Sequence, residues 1–137
     1  MGAIYRGGCQ CGAIRYEVTG PARQIVACHC TDCQRQSGSA FGMTMVVAEE
    51  DFRITRGKEK TFAVESDAGR RKVGGFCPKC GSRIYNRSDW RPGMISVKPG
   101  TLDDTGSLQP QIHLWTSRKQ SWFAIPDGVE AYETQPP

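Results

Sequence analysis

Seven cysteines in 137 residues fall into three short clusters. They read Gly8-Cys9-Gln-Cys11-Gly12, Cys28-His-Cys30-Thr-Asp-Cys33 and Cys77-Pro-Lys-Cys80-Gly81. Cys-x-x-Cys-Gly folds the backbone into a tight knuckle that presents two sulfurs to one metal, and the glycine permits the turn. A tetrahedral zinc then needs two further thiolates. Seven ligands divide naturally as four plus three. Four thiolates close a structural site, whereas three protein ligands leave a position for water or substrate. An odd count leaves one thiol over in any complete disulfide framework. In a reducing cytosol, clustered cysteines bind metal or react more often than they bridge.

Spacing alone permits two partitions. One joins Cys9 and Cys11 to Cys77 and Cys80, leaving Cys28, Cys30 and Cys33 to wrap an open site within one loop. The other joins the two Cys-x-x-Cys knuckles, Cys30/Cys33 and Cys77/Cys80, and strands the rest. A closed second site would need a fourth ligand, for which His29 and His113 are the histidine candidates. His29 stands between two cysteines, an awkward place from which to reach the same ion. Iron–sulfur ligation uses the same thiolates, but the Cys-x-Cys spacings do not match the common ferredoxin runs.

The elements that must carry these clusters read as short strands. Ile14–Val18 alternates apolar and polar residues, and Phe41–Val47 places Phe41, Met43, Met45 and Val47 on one face. Further strands are expected at Phe52–Ile54, Thr61–Val64, Val73–Phe76, Arg83–Tyr85, Met94–Val97, Ile112–Thr116 and Ser121–Ile125. Turn signals separate them, among them Thr19-Gly-Pro21, Arg56-Gly57, Ala68-Gly69 and Pro126-Asp-Gly128. One helical turn is expected over Thr31–Gln36, capped by Thr31 or Asp32. The reading is mainly β: a single small antiparallel domain over residues 1–137, stapled by metal and with little helix. Trp90, Trp115 and Trp122 are expected in the core or in a pocket wall.

Composition narrows the function classes. Sixteen glycines and eight prolines describe a loop-rich chain with a modest core. No apolar run approaches the roughly 18 residues of a membrane span. The start, Met1 to Gly8, lacks the apolar stretch of a secretory signal, so a cytoplasmic protein is expected. The net charge of +4 is mild, and its densest piece, Arg70-Arg71-Lys72, is too short for a nucleic-acid arm and reads as a solvated turn.

The three motifs also carry a resemblance. Gly7-Gly-Cys-Gln-Cys-Gly-Ala-Ile-Arg-Tyr16, Cys28-His-Cys-Thr-Asp-Cys-Gln-Arg-Gln-Ser-Gly-Ser39 and Phe76-Cys-Pro-Lys-Cys-Gly-Ser82 resemble, in order, the cysteine motifs of the glutathione-dependent formaldehyde-activating enzyme family. His113-Leu-Trp-Thr-Ser-Arg-Lys-Gln-Ser-Trp122 resembles its carboxyl-terminal segment. The resemblance implies a zinc-bearing antiparallel architecture called a β-tent, with two zinc ions per chain. It selects the first partition: Cys9, Cys11, Cys77 and Cys80 match the structural ligands, and Cys28, Cys30 and Cys33 match those of a catalytic zinc. It further implies a carbon–sulfur lyase that adds formaldehyde, or a related small aldehyde, to glutathione or another small thiol. Leu114, Trp115 and Arg118-Lys-Gln-Ser121 depart from the family pattern, which bears on substrate choice more than on metal binding.

Glutathione carries two carboxylates, so cationic contacts are expected. Arg35 is the first candidate, with Ser37 and Ser39 as hydrogen-bond donors beside it, followed by Arg83 and Arg87. The alternative from another class is a non-catalytic zinc module that binds a protein or nucleic acid.

Overall fold

The computed structural model describes residues 2–65, 69–106 and 108–136. Its elements run β1 (Tyr5–Gly8), β2 (Arg15–Val18), β3 (Gln24–Cys28), α1 (Thr31–Ser37), β4 (Gly42–Ala48), β5 (Phe52–Arg56) and β6 (Lys60–Glu65). They continue with β7 (Arg71–Phe76), β8 (Arg83–Ser88), β9 (Met94–Val97), β10 (Ile112–Leu114) and β11 (Glu130–Ala131). The architecture is mainly β, with one short helix among the described residues. Two sheets form, one of order β1-β2-β5 and one of order β11-β10-β3-β4-β9-β8-β7-β6.

The main core lies between the small sheet and one face of the large one. Ile14, Tyr16 and Val18 pack with Ile25, Met45, Val47, Ile84, Tyr85, Ile95 and Val97. Phe52 sits between Tyr16 and Tyr85, with ring centroids 5.2 and 5.5 Å away. Close packing at Gly75 seats Tyr85: a β-carbon there would fall within the tyrosine ring.

Strand pleating sends alternate residues to the other face. Cys28 pairs with Gly42, Val26 with Thr44, Val46 with Ser96, Asn86 with Ser96, and Gly74 with both Asn86 and Phe62. This face turns away from the main core. Its β3–β10 end holds a smaller cluster of Val26, Ile112 and Leu114, against which Cys28 of the second cysteine cluster packs.

Most pairings are antiparallel, as expected, but β10 joins β3 and β11 in parallel. A parallel pairing needs a long crossover; here the chain between Cys28 and Ile112 makes it. The strand expected at Ser121–Ile125 is a loop, because Phe123 turns inward against His29 and the Lys119 ammonium donates to the Phe123 carbonyl at 2.7 Å. The sequence reading missed β1, β3 and β11. In β3, Ile25, Val26 and Ala27 are all buried, so no alternation marks the strand. The same two-sided burial affects β4, where Val46 is as hidden as Met45 and Val47. Of the Ala68-Gly69 turn signal, Ala68 lies outside the described residues. Arg71 and Lys72 open β7 rather than forming a turn.

Substituting Gly75→Ala should displace Tyr85 and destabilise the chain by about 1–3 kcal/mol in chemical denaturation, the range of core overpacking. Gly100 has open space around it, and Gly100→Ala should stay within about 0.5 kcal/mol of the parent.

Candidate metal centres

Two groups of sulfurs assemble, divided four and three. The sulfurs of Cys9, Cys11, Cys77 and Cys80 lie within 4.8 Å of one another, and so do those of Cys28, Cys30 and Cys33. All seven are free of disulfides.

The four-cysteine group joins the loop after β1 to the loop after β7. Each loop closes with one hydrogen bond that spans five residues, from Cys9 N–H to the Ile14 carbonyl at 3.1 Å and from Cys77 N–H to the Ser82 carbonyl at 2.9 Å. Gly12 and Gly81 each take φ near 80°, the left-handed conformation that a Cβ disfavours. Gln10 N–H donates to the Ser82 hydroxyl at 3.0 Å, which ties the loops together. The Ile14 and Lys79 amides point at the Cys9 and Cys77 sulfurs, at 3.2 and 3.4 Å.

These donors favour thiolates. The Ser82 hydroxyl and amide draw Cys80 down to about 5. Cys9 is lowered although burial opposes it, because the Ile14 amide and its sulfur neighbours prevail. For Cys11 the Ala13 amide favours the thiolate, yet burial and contact with the other sulfurs push it up to about 11. Sulfur separations of 3.6 Å for Cys9–Cys11 and 3.8 Å for Cys11–Cys77 match the tetrahedral edge of about 3.8 Å expected from zinc–sulfur bonds of about 2.3 Å. The donor set therefore fits a closed zinc site.

The three-cysteine group is built where β3 passes into α1. Cys28 ends β3, Cys30 caps α1 and Cys33 lies in its first turn. The cap is the Cys30 sulfur, which accepts the Cys33 N–H at 3.3 Å, in place of the expected Thr31 or Asp32. Gly38 ends the helix at φ 62°. Gly42, the strand partner of Cys28, leaves the room that Cys33 fills: a β-carbon at Gly42 would lie 3.2 Å from the Cys33 Cβ.

Charge is concentrated on one sulfur. Hydrogen bonds from Cys28 and then Cys33 draw Cys30 down to about 2. Cys28 is pushed far up by donating to Cys30 and Cys33 and by burial. Cys33 is lowered by its bond with Cys28, but the bond to Cys30 and burial outweigh this and raise it. A divalent cation offsets thiolate repulsion in place of such shared protons. Three sulfurs and no fourth histidine, cysteine or carboxylate group together here among the described residues, so the set fits a metal with one open coordination position.

Neither histidine joins it. His29 is fully buried, with its Nε2 2.9 Å from His113 Nδ1 and its ring 5.0 Å from Phe41 and 5.4 Å from Phe123. Burial lowers both imidazoles, which favours their neutral forms. They brace the loop behind the cysteines. The Gln34 side-chain amide, donating to the His29 carbonyl at 2.9 Å, ties α1 to the same support.

Arg35, Ser37 and Ser39 are exposed on and just after α1. Arg35 and Ser39 line a depression of about 330 Å³ with Thr31, Gln34 and Gly38. The Ser37 hydroxyl is engaged with the Gln34 and Phe41 carbonyls at 3.4 and 3.2 Å. Arg83 projects onto the cysteine face of the large sheet. Arg87 does not: it lies over Tyr85 and 3.5 Å from Glu49. Two of the three tryptophans also depart from expectation. Trp122 is 72% exposed and Trp90 is flanked by Arg70 and Arg91, while Trp115 packs against the Val26 cluster. Sequence reasoning missed Lys72 and Lys98, whose charges act on the second cluster; only the register of distant strands brings them there.

The chain resembles known proteins over most of its length. It is 23% identical over 127 residues to a Halomonas elongata protein, covering 89% of this chain and 81% of the relative. It is 31% identical over 109 residues to a Penicillium rubens protein, covering 75% and 56%. Both relatives carry a provisional designation as glutathione-dependent formaldehyde-activating enzymes. A crystal structure of a Rhodobacter sphaeroides protein shares the fold with TM-score 0.56 at 17% identity, covering 93% of this chain and 98% of that one. The family model for glutathione-dependent formaldehyde-activating enzymes matches residues 4–118, most of the chain, and the chain belongs to that family.

Proposed function

We propose that the 137 residues act as one zinc-binding domain that joins a small thiol, glutathione or a relative, to formaldehyde or a related small aldehyde. The observation that carries this reading is the group of three sulfurs with no fourth protein ligand beside it among the described residues. Cys9, Cys11, Cys77 and Cys80 would hold a structural zinc, and Cys28, Cys30 and Cys33 a catalytic one. Zinc bound at the three-cysteine centre would supply an acidic position for the substrate thiol, or polarise the aldehyde oxygen. Family membership and the provisional designation of the relatives support the same chemistry.

In the reaction, the substrate's S–H gives its proton to solvent and the sulfur attacks the aldehyde carbon. A C–S bond forms, the C=O π pair moves to oxygen, and that oxygen takes up a proton. The product is an S-hydroxymethyl thioether, with no net redox change. The reverse reaction, carbon–sulfur lysis, uses the same groups. Three thiolates on a divalent ion leave a net charge near −1, which weakens its acidity and suits holding a thiolate more than strong carbonyl activation. Arg35, Ser37 and Ser39 form the outer rim that contacts the cosubstrate. A reducing cytoplasm would keep the ligands as thiolates. No helix among the described residues is long and apolar enough to cross a membrane.

With zinc-loaded protein, labelled formaldehyde and glutathione, adduct exchange followed by NMR should run faster than in a protein-free control. Cys30→Ser should abolish the acceleration while the fold persists. No acceleration with both metals bound would leave the non-catalytic binding module as the better reading.

Cys9→Ser should instead cost the fold. Structural zinc contributes apparent binding energies of about 10–16 kcal/mol in small zinc peptides, so the variant should be insoluble or lack a cooperative thermal transition. Arg35→Ala should raise KM for glutathione and leave kcat nearly unchanged, since it removes binding shared by ground and transition states; an unchanged KM would remove Arg35 from the rim.

A further inference from the structure

The face of the large sheet that carries Cys28 also carries three cations. Lys72 pairs with Ser88 and Val64 at the outer strands. Lys98 follows β9, two residues beyond Ser96, and its amide continues the ladder by donating to the Ile84 carbonyl at 2.8 Å. Arg83 reaches this face through a bulge. The β7–β8 register passes from Gly75↔Tyr85 to Phe76↔Arg83, so β8 holds one extra residue there. Ile84 and Tyr85 both enter the main core, which turns Arg83 and Asn86 to the opposite side together.

The Arg83 guanidinium is held flat and in place. It lies 4.4 Å over the Phe62 ring, and its Nη2 donates to Asn86 Oδ1 at 3.4 Å. Asn86 Nδ2 in turn donates to Gln36 Oε1 at 3.2 Å, which links the arginine to the helix carrying Cys33. Gly74 makes this possible, since a β-carbon there would lie 2.9 Å from Nη2 and inside the Phe62 ring. Arg83 Nε is buried without a hydrogen-bond partner. An arginine so fixed, with donors still unused, is prepared for a planar anion.

No carboxylate pairs with Lys72, Arg83 or Lys98 among the described residues. Lys98 loses protonated stability to burial and gains some from Cys33, while Arg83 and Lys72 repel it. Lys72 and Lys98 both interact electrostatically with the second cysteine group, and three cations outnumber the single net negative charge that a zinc ion bound by three thiolates would carry.

Resting on the thiol–aldehyde reading above, we propose that Lys72, Arg83 and Lys98 form an anion subsite that holds a carboxylate of the thiol substrate. Arg83 would grip the carboxylate edge, and the two lysines would supply point charges around it. The substrate's sulfur then reaches the three-cysteine centre while its anionic end is fixed across the sheet. The second carboxylate of a glutathione-like molecule is left for the Arg35 rim.

The test uses zinc-loaded protein titrated calorimetrically with S-methylglutathione, whose blocked thiol cannot ionise, and with its diethyl ester, whose carboxylates are neutral. The free acid should bind, and the ester should bind at least about tenfold more weakly, as expected for losing charged hydrogen bonds. Arg83→Gln and Lys98→Met should each weaken free-acid binding by a similar factor. Lys72→Gln, a change on a half-buried strand position, should act in the same direction without a folding risk. Equal binding of acid and ester, or parent-like binding by the folded variants, would overturn the subsite. Because the blocked thiol cannot react, acid binding that depends on Arg83 would uphold the subsite even if formaldehyde exchange failed.

Discussion

Thiolates held at van der Waals distance repel one another unless positive charge sits among them. Everything else in this chain accommodates that constraint. Four sulfurs converge between two loops whose amides point at them, and three more converge where a strand turns into a helix. In the first group, hydrogen-bonded loops and left-handed glycines fix the sulfurs at separations suited to a tetrahedral ion. In the second, the chain supplies three donors and then stops.

The sheet explains why these centres differ. Cys9 and Cys77 are buried within the main core, so a metal held by the four-cysteine group would staple the small sheet to the large one. The open centre lies on the opposite face, under α1, where the pleat delivers Cys28, Gly42, Asn86 and Gly74. Gly42 and Gly74 on this face leave room for neighbouring side chains, Gly42 for Cys33 and Gly74 for Arg83. One face therefore builds the main core, and the other is left to the three-cysteine group.

The ligand clusters were legible because cysteine spacing is local. Cys28, Cys30 and Cys33 lie within one strand–helix junction, so their grouping needs no knowledge of the fold. Joining Cys9 and Cys11 to Cys77 and Cys80 took a family resemblance, since residues 66 or more apart in sequence meet only through the sheets. Alternation revealed β2, yet it could not reveal β3, whose residues are buried on both sides. Arg83 and Arg87 looked equivalent in sequence; a single extra residue in β8 sends the first to the cysteine face and leaves the second beside Glu49. Lys98 gave no local signal, because its position depends on pairing across β8 and β9.

A chain with one closed and one open metal centre should bind two ions that differ in their response to added thiol. Cobalt(II) substitution reports both, because thiolate-to-cobalt charge-transfer bands count sulfur ligands and d–d bands follow geometry. Titration of the metal-free chain should saturate at two cobalt ions, and adding glutathione should shift the bands of one ion only. That response should vanish in Cys33→Ser, with the other cobalt undisturbed. Saturation at a single cobalt, or two ions whose spectra ignore added thiol, would contradict the account.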